Sequence, residues 1–164
     1  MRIALIMMFL TASAFAQDEP PVPAACGRQD TSFKVKLDES KHAIAQAEPG
    51  KARVYFIQDV GRVSCLGGCF KTKIGVNGTW VGANQRNSYF SISVEPGEHH
   101  MCANTGSVIA LAHFTAEAGK VYYFRVRAFN TDQWIFDFAP IDSDQAEYLI
   151  ASYPLSVSPK SVKQ

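Results

Sequence analysis

The chain has 164 residues, with 16 Lys and Arg against 15 Asp and Glu and a formal net charge of +1. So even a balance leaves no electrostatic footprint for nucleic acid or for an anionic membrane surface, and sets both aside as partners. The length suits one domain with a sizeable core.

Residues 1–16 read as a signal peptide rather than as part of the fold. Arg2 is a short basic start, residues 3–10 are apolar, and Ala14-Phe15-Ala16 is a small-x-small cleavage pattern. The apolar run is too short to span a bilayer, and no later stretch is long enough for a transmembrane segment. The mature chain is expected to begin near Gln17 and to leave the cytoplasm. Residues 17–25, Gln-Asp-Glu-Pro-Pro-Val-Pro-Ala-Ala, form a proline-rich tether. Pro23, three before Cys26, argues against a lipidation signal there.

The domain is expected to span residues 26–154. Residues 33–37 alternate apolar and basic, as a short edge strand does. Residues 38–50 read as a loop, and residues 52–58, Ala-Arg-Val-Tyr-Phe-Ile-Gln, as a strong strand. A cysteine loop follows over 59–70. Residues 71–76 and 79–81 flank Asn77-Gly78, the best hairpin signal in the chain. Phe90, Ile92 and Val94 then alternate with Ser91, Ser93 and Glu95, the period of a half-buried strand. Pro96-Gly97 breaks this run, and a strand over 98–103 is expected to return as a second hairpin, carrying Cys102. Residues 107–115 are apolar on both faces and read as a central buried strand. Residues 121–128 place Tyr122, Phe124 and Val126 on one face, with Tyr123, Arg125 and Arg127 on the other. Residues 133–138 align Trp134, Phe136 and Phe138. Only residues 141–153 look helical, with Asp142 and Gln145 in capping-box positions and Ala146, Leu149, Ile150 and Tyr153 at helical spacing. Pro154 stops the helix, and residues 155–164 read as a frayed tail. The fold expected is mainly β, an antiparallel β-sandwich of about seven to eight strands with one C-terminal α-helix.

All four cysteines, Cys26, Cys65, Cys69 and Cys102, lie in the exported part, where an even number reads as two disulfides. Three pairings are possible. Cys65 and Cys69 are separated by Leu66-Gly67-Gly68, whose glycines let a short loop close, which leaves Cys26 for Cys102. That long closure is worth about 4 kcal/mol on the chain-entropy model.

Gly50-Lys51-Ala52-x-Val54-Tyr55, Val76-x-Gly78, Val94-x-Pro96-Gly97-x-His99 and Glu117-Ala118-Gly119-Lys120-x-Tyr122-Tyr123-Phe124 resemble the bacterial domain of unknown function 2846 family over about residues 49–134. The Val-x-Pro-Gly-x-His segment also resembles that of small PEGA-type surface modules. The resemblance implies an exported or lipid-anchored β-domain. It carries over no catalytic residue.

His99-His100 is the most tempting chemical feature. Adjacent strand residues point to opposite faces, so a metal site needs His100 together with His42 or His113, with Met101 or a reduced cysteine as a further donor. Nothing here has the spacing of a recognised metal site, so no metal or cofactor is assigned. Cys65-x-x-x-Cys69 lacks the Cys-x-x-Cys redox spacing and reads as structural. No Gly-x-Ser-x-Gly elbow is present, and Glu95, Glu98 and Glu117 sit beside turns where solvated carboxylates are ordinary. Trp80, Tyr89, Tyr123, Phe129 and Trp134 fit a filled core better than a binding face. The sequon Asn77-Gly78-Thr79 is already accounted for by the hairpin. The sequence therefore reads as a non-catalytic, disulfide-pinned module of the envelope that meets another envelope protein. Its presenting loops are the cysteine loop, with Leu66, Gly67 and Gly68, and the loop holding Asn84, Gln85, Arg86 and Asn87. A small-ligand or metal binder using His100 and His113, and an inhibitor of an exported enzyme using the cysteine loop, are the competing readings.

Overall fold

The computed structural model describes residues 23–28, 30–40, 44–60, 71–106, 108–130, 134–158 and 160–162. Eight long strands run through the middle of the chain: β3 (Ala52–Asp59), β4 (Lys71–Val76), β5 (Thr79–Gln85), β6 (Ser88–Val94), β7 (Gly97–Asn104), β8 (Ile109–Ala116), β9 (Val121–Asn130) and β10 (Trp134–Pro140). Four strands of three residues flank them: β1 (Thr31–Phe33) and β2 (Lys36–Asp38) before, β11 (Leu155–Val157) and β12 (Lys160–Val162) after the helix α1 (Ser143–Ser152). A six-stranded sheet, in the order β10-β9-β3-β6-β11-β2, packs on a four-stranded sheet, β5-β4-β7-β8, while β1 pairs with β12 in a separate ribbon. The sandwich is the expected one, with the expected helix.

β3 explains why its sequence shows no polar alternation. Val54 and Phe56 enter the core between the sheets, whereas Tyr55 and Ile57 face α1 on the other side. A strand buried on both faces reads as a near-continuous apolar run, here residues 54–57. β6 and β9 flank it, β6 antiparallel and β9 parallel, with Phe56 opposite both Phe90 and Phe124. The six-stranded sheet is thus mixed rather than purely antiparallel, and between β3 and β9 the chain crosses to the other sheet and back twice. The faces read for residues 121–128 hold: Tyr122, Phe124 and Val126 join the inter-sheet core and Tyr123 joins the cluster under α1.

The helix begins where its cap demands. Asp142 accepts a hydrogen bond from the Gln145 backbone N–H at 2.8 Å, satisfying one of the free donors of the first turn. Ala146, Leu149 and Ile150 are then buried against Tyr55, Ile57 and Tyr89.

Four expectations are corrected. The Pro96-Gly97 corner does not close a hairpin: β6 lies in the six-stranded sheet and β7 in the four-stranded one, so the turn carries the chain between layers. Local turn chemistry is the same in both cases, and only the pairing distinguishes them. The segment 107–115 is not a central strand, because β8 is the outer edge of its sheet. Residues 33–37 do not form one strand; β1 and β2 stand either side of Lys34-Val35 in different sheets. Finally, residues 155–162 are not a frayed tail, since β11 is inserted between β6 and β2 and β12 pairs with β1. Ser156 Oγ donates to the Ala83 carbonyl at 2.6 Å, and the Ala83 N–H donates to Ser158 Oγ at 3.0 Å. These serines tie the segment to β5.

Candidate functional site

The site is built on the outer face of the four-stranded sheet. Alternation sends Ile74, Val76, Met101, Ala103 and Ala116 inward, which leaves Lys71, Lys73, Gly75, Glu98, His100, Cys102, Leu111, His113 and Thr115 for the outside. One half of this face is strapped by the N-terminal segment. The disulfide Cys26–Cys102 fixes it, with Cα atoms 5.1 Å apart. The Gly78 N–H donates to the Ala25 carbonyl at 3.2 Å. Gly75 makes the close approach possible: a Cβ there would stand 2.9 Å from the Ala25 carbonyl oxygen. The Trp80 indole N–H donates to the Arg28 carbonyl at 2.7 Å, and Lys71 Nζ donates to the Phe33 carbonyl at 2.9 Å. Lys73 Nζ lies 4.5 Å above the Trp80 ring and donates to the Thr31 carbonyl, and burial lowers its pKa.

Among the described residues, no strap crosses the other half of the face, on β7 and β8. His100 and His113 are direct cross-strand partners, their ring centroids 6.3 Å apart. Glu98 Oε1 is 3.5 Å from His100 Nε2. Next to them, at the sheet edge, Ile109 is 40% exposed and Leu111 56%.

His99 is a different residue in kind. The His100 N–H donates to Asn77 Oδ1 at 2.9 Å, which fixes the amide so that Nδ2 donates to His99 Nδ1 at 3.0 Å. His99 Nε2 is therefore the protonated nitrogen and donates to the Glu95 carbonyl at 2.8 Å. Buried and stacked on Phe114, His99 locks the β4–β5 turn to the β6–β7 corner. That turn has Asn77 at φ 49° and Gly78 at φ 79°, the pair of positive φ values a type I′ hairpin needs. The sequon asparagine is spent on structure.

The structure thus brings His100 and His113 together. Met101 is buried on the inner face and Cys102 is in the disulfide, so neither joins them. His42 lies outside the described residues, as do Cys65, Leu66, Gly67, Gly68 and Cys69. In the 84–87 loop, Asn84 is a correction. It is fully buried, its Nδ2 donating to the Phe56 carbonyl at 3.0 Å, and cannot present itself to a partner. Gln85 ends β5, and Asn87 Oδ1 accepts from the Val60 N–H at 2.9 Å, while Arg86 is exposed at the tip. Trp80 and Tyr89 are buried and Tyr123 stacks on Tyr55 at 5.4 Å, so these three aromatics fill the interior; the side chains of Phe129 and Trp134 lie outside the described set. Sequence reasoning missed the strap's contacts on Gly75, Lys71 and Lys73. A glycine and two lysines in a strand carry no visible mark of what lies on them.

Among the described residues no three His, Cys, Asp or Glu side chains converge as a metal centre, and no helix is long and apolar enough to cross a membrane. No curated protein and no solved structure gives a significant match. Residues 48–137, more than half of the chain, match the family described as protein of unknown function (DUF2846), and the protein belongs to that family.

Proposed function

We propose that the protein is an exported, non-catalytic interaction module of the cell envelope and that it engages another envelope protein along β8. The observation that carries this reading is the character of that edge. β8 is eight residues long, pairs with β7 without a register shift, and contains neither lysine nor proline. Long edges without lysine or proline are templates for an added strand, whose backbone bonds give affinity while alternate side chains give specificity. The other outer strands of the two sheets differ: β2 has only three residues and includes Lys36, β10 carries Asp137 and Pro140, and β5 is tied at Ala83 to Ser156 and Ser158. Export is supported by the N-terminal signal pattern and by the Cys26–Cys102 disulfide, a bond that persists in oxidising compartments.

The test is a photo-crosslinking side chain placed at position 111, and in a second variant at Tyr148, which is 73% exposed on the helix. In the exporting host the variant at 111 is expected to yield an adduct with another envelope protein and the variant at 148 none. No adduct at 111, equal adducts at both, or an adduct only with a second copy would overturn the reading.

A further inference from the structure

We infer that Asn77-Gly78 is a latent deamidation site that the disulfide-anchored strap holds shut, so that loss of the Cys26–Cys102 bond starts an irreversible chemical ageing of the β4–β5 hairpin. This goes beyond the docking role of β8 and stands independently of it. The chain contains one Asn-Gly pair. In that dipeptide the backbone nitrogen of the glycine attacks the asparagine side-chain carbonyl most readily, because glycine has no side chain to hinder the approach. A bond forms between Gly78 N and Asn77 Cγ while the Cγ–Nδ2 bond breaks. Nδ2 leaves as ammonia with the proton from Gly78 N, and a five-membered succinimide remains. Water then opens one or other carbonyl of the ring, giving aspartate or isoaspartate. No oxidant or reductant is consumed.

Both reacting groups are held in the folded protein. The Gly78 N–H donates to the Ala25 carbonyl at 3.2 Å, and a Cβ on Gly78 would stand 3.1 Å from the Ala24 carbonyl oxygen, so the strap lies over the attacking nitrogen. The Asn77 amide is turned toward β7, with Oδ1 accepting from the His100 N–H at 2.9 Å and Nδ2 donating to His99 Nδ1 at 3.0 Å. Both residues are otherwise exposed, so water has access to them. Ala25 is the neighbour of Cys26, and the bond to Cys102 is what pins that carbonyl over the turn. Once the bond is lost, the Gly78 nitrogen is uncovered and the turn is free to open locally. The product does not fit the site it came from. Aspartate places an oxygen where Nδ2 donated to His99, and isoaspartate lengthens the main chain inside a turn that depends on two positive φ values. Re-forming the disulfide does not reverse either change.

The test follows the peptide containing Asn77 by mass spectrometry while disulfide-bonded wild type, C26S/C102S, I150A and G75A stand at neutral pH, with isoaspartate scored separately. C26S/C102S is expected to convert Asn77 at least about tenfold faster than wild type, since its turn opens without the strap. I150A weakens the opposite face of the sandwich and leaves the strap in place, so it is expected to convert as slowly as wild type. G75A puts a methyl group 2.9 Å from the Ala25 carbonyl oxygen, displacing the strap with the disulfide formed, and is expected to convert faster than wild type. Should C26S/C102S fail to fold, G75A against I150A decides. Equal conversion in wild type and C26S/C102S, conversion in I150A as fast as in the strap variants, or G75A as slow as wild type would overturn the inference.

Discussion

The two outer faces of the sandwich are covered by different means. Outside the six-stranded sheet lies α1, held by Ala146, Leu149 and Ile150 against Tyr55, Ile57 and Tyr89. Outside the four-stranded sheet lies a strap that has Ala25, Cys26, Phe33 and Val35 as its apolar contacts and relies on a disulfide and on lysine-to-carbonyl bonds. A helix presents an apolar stripe every three to four residues and can cover a sheet by burial alone. An extended segment has too few side chains per unit length for that, and so a covalent tie takes over. The difference also decides what is left bare. The strap reaches β7 at Cys102, and beyond it His100, Leu111 and His113 are exposed among the described residues.

The largest expected effect lies at the disulfide. C26S/C102S is expected to lower unfolding free energy by about 4 kcal/mol, because it releases the 76-residue closure. Hydrogen exchange sharpens the point: reduction should deprotect the strap and the strand pair β1–β12 while α1 stays protected. On the other face, I150A removes a fully buried side chain and is expected to cost about 3 kcal/mol by denaturant melt, with the Cys26–Cys102 bond still formed. N77A removes a positive-φ asparagine that bonds both His99 and the His100 N–H. It should cost about 2 kcal/mol in the same melt, with the disulfide retained.

The fourth effect is smaller and depends on pH. Tyr153 donates to Asp59 Oδ1 at 2.9 Å, and burial, followed by that hydrogen bond, raises the phenol's pKa well above its usual value. The folded state therefore holds this proton more tightly than the unfolded chain does. The resulting stability is fully present below the ordinary phenol pKa of about 10 and is lost as pH rises beyond it. Y153F should cost about 1 kcal/mol at neutral pH and flatten the alkaline limb of a stability–pH profile.

Much of the six-stranded sheet was legible in the sequence. β3, β9 and α1 each bury enough apolar residues at a clear period to announce themselves, and Asn77-Gly78 states its own turn type. What failed was pairing. Pro96-Gly97 reads as a hairpin because turn residues encode a local bend and not the partner that a strand meets after it. β8 reads as central because Ile109 and Leu111 are as apolar as its buried neighbours, and an exposed edge kept apolar looks the same in sequence as a core strand. β11 and β12 are too short to show a period. Of the candidate site, the two histidines and the disulfide partner were visible as residues, but their common face was not, since it follows from the register of β7 on β8.

The most direct test of the strap is non-reducing peptide mapping of alkylated protein recovered from the cells that produce it. The account requires a chain starting at Gln17 and a crosslinked peptide pair containing Cys26 and Cys102, with neither cysteine alkylated. Alkylated Cys26 or Cys102 would contradict it and leave the four-stranded sheet without the tie that covers half its face, and an intact N-terminal segment would contradict the proposed export.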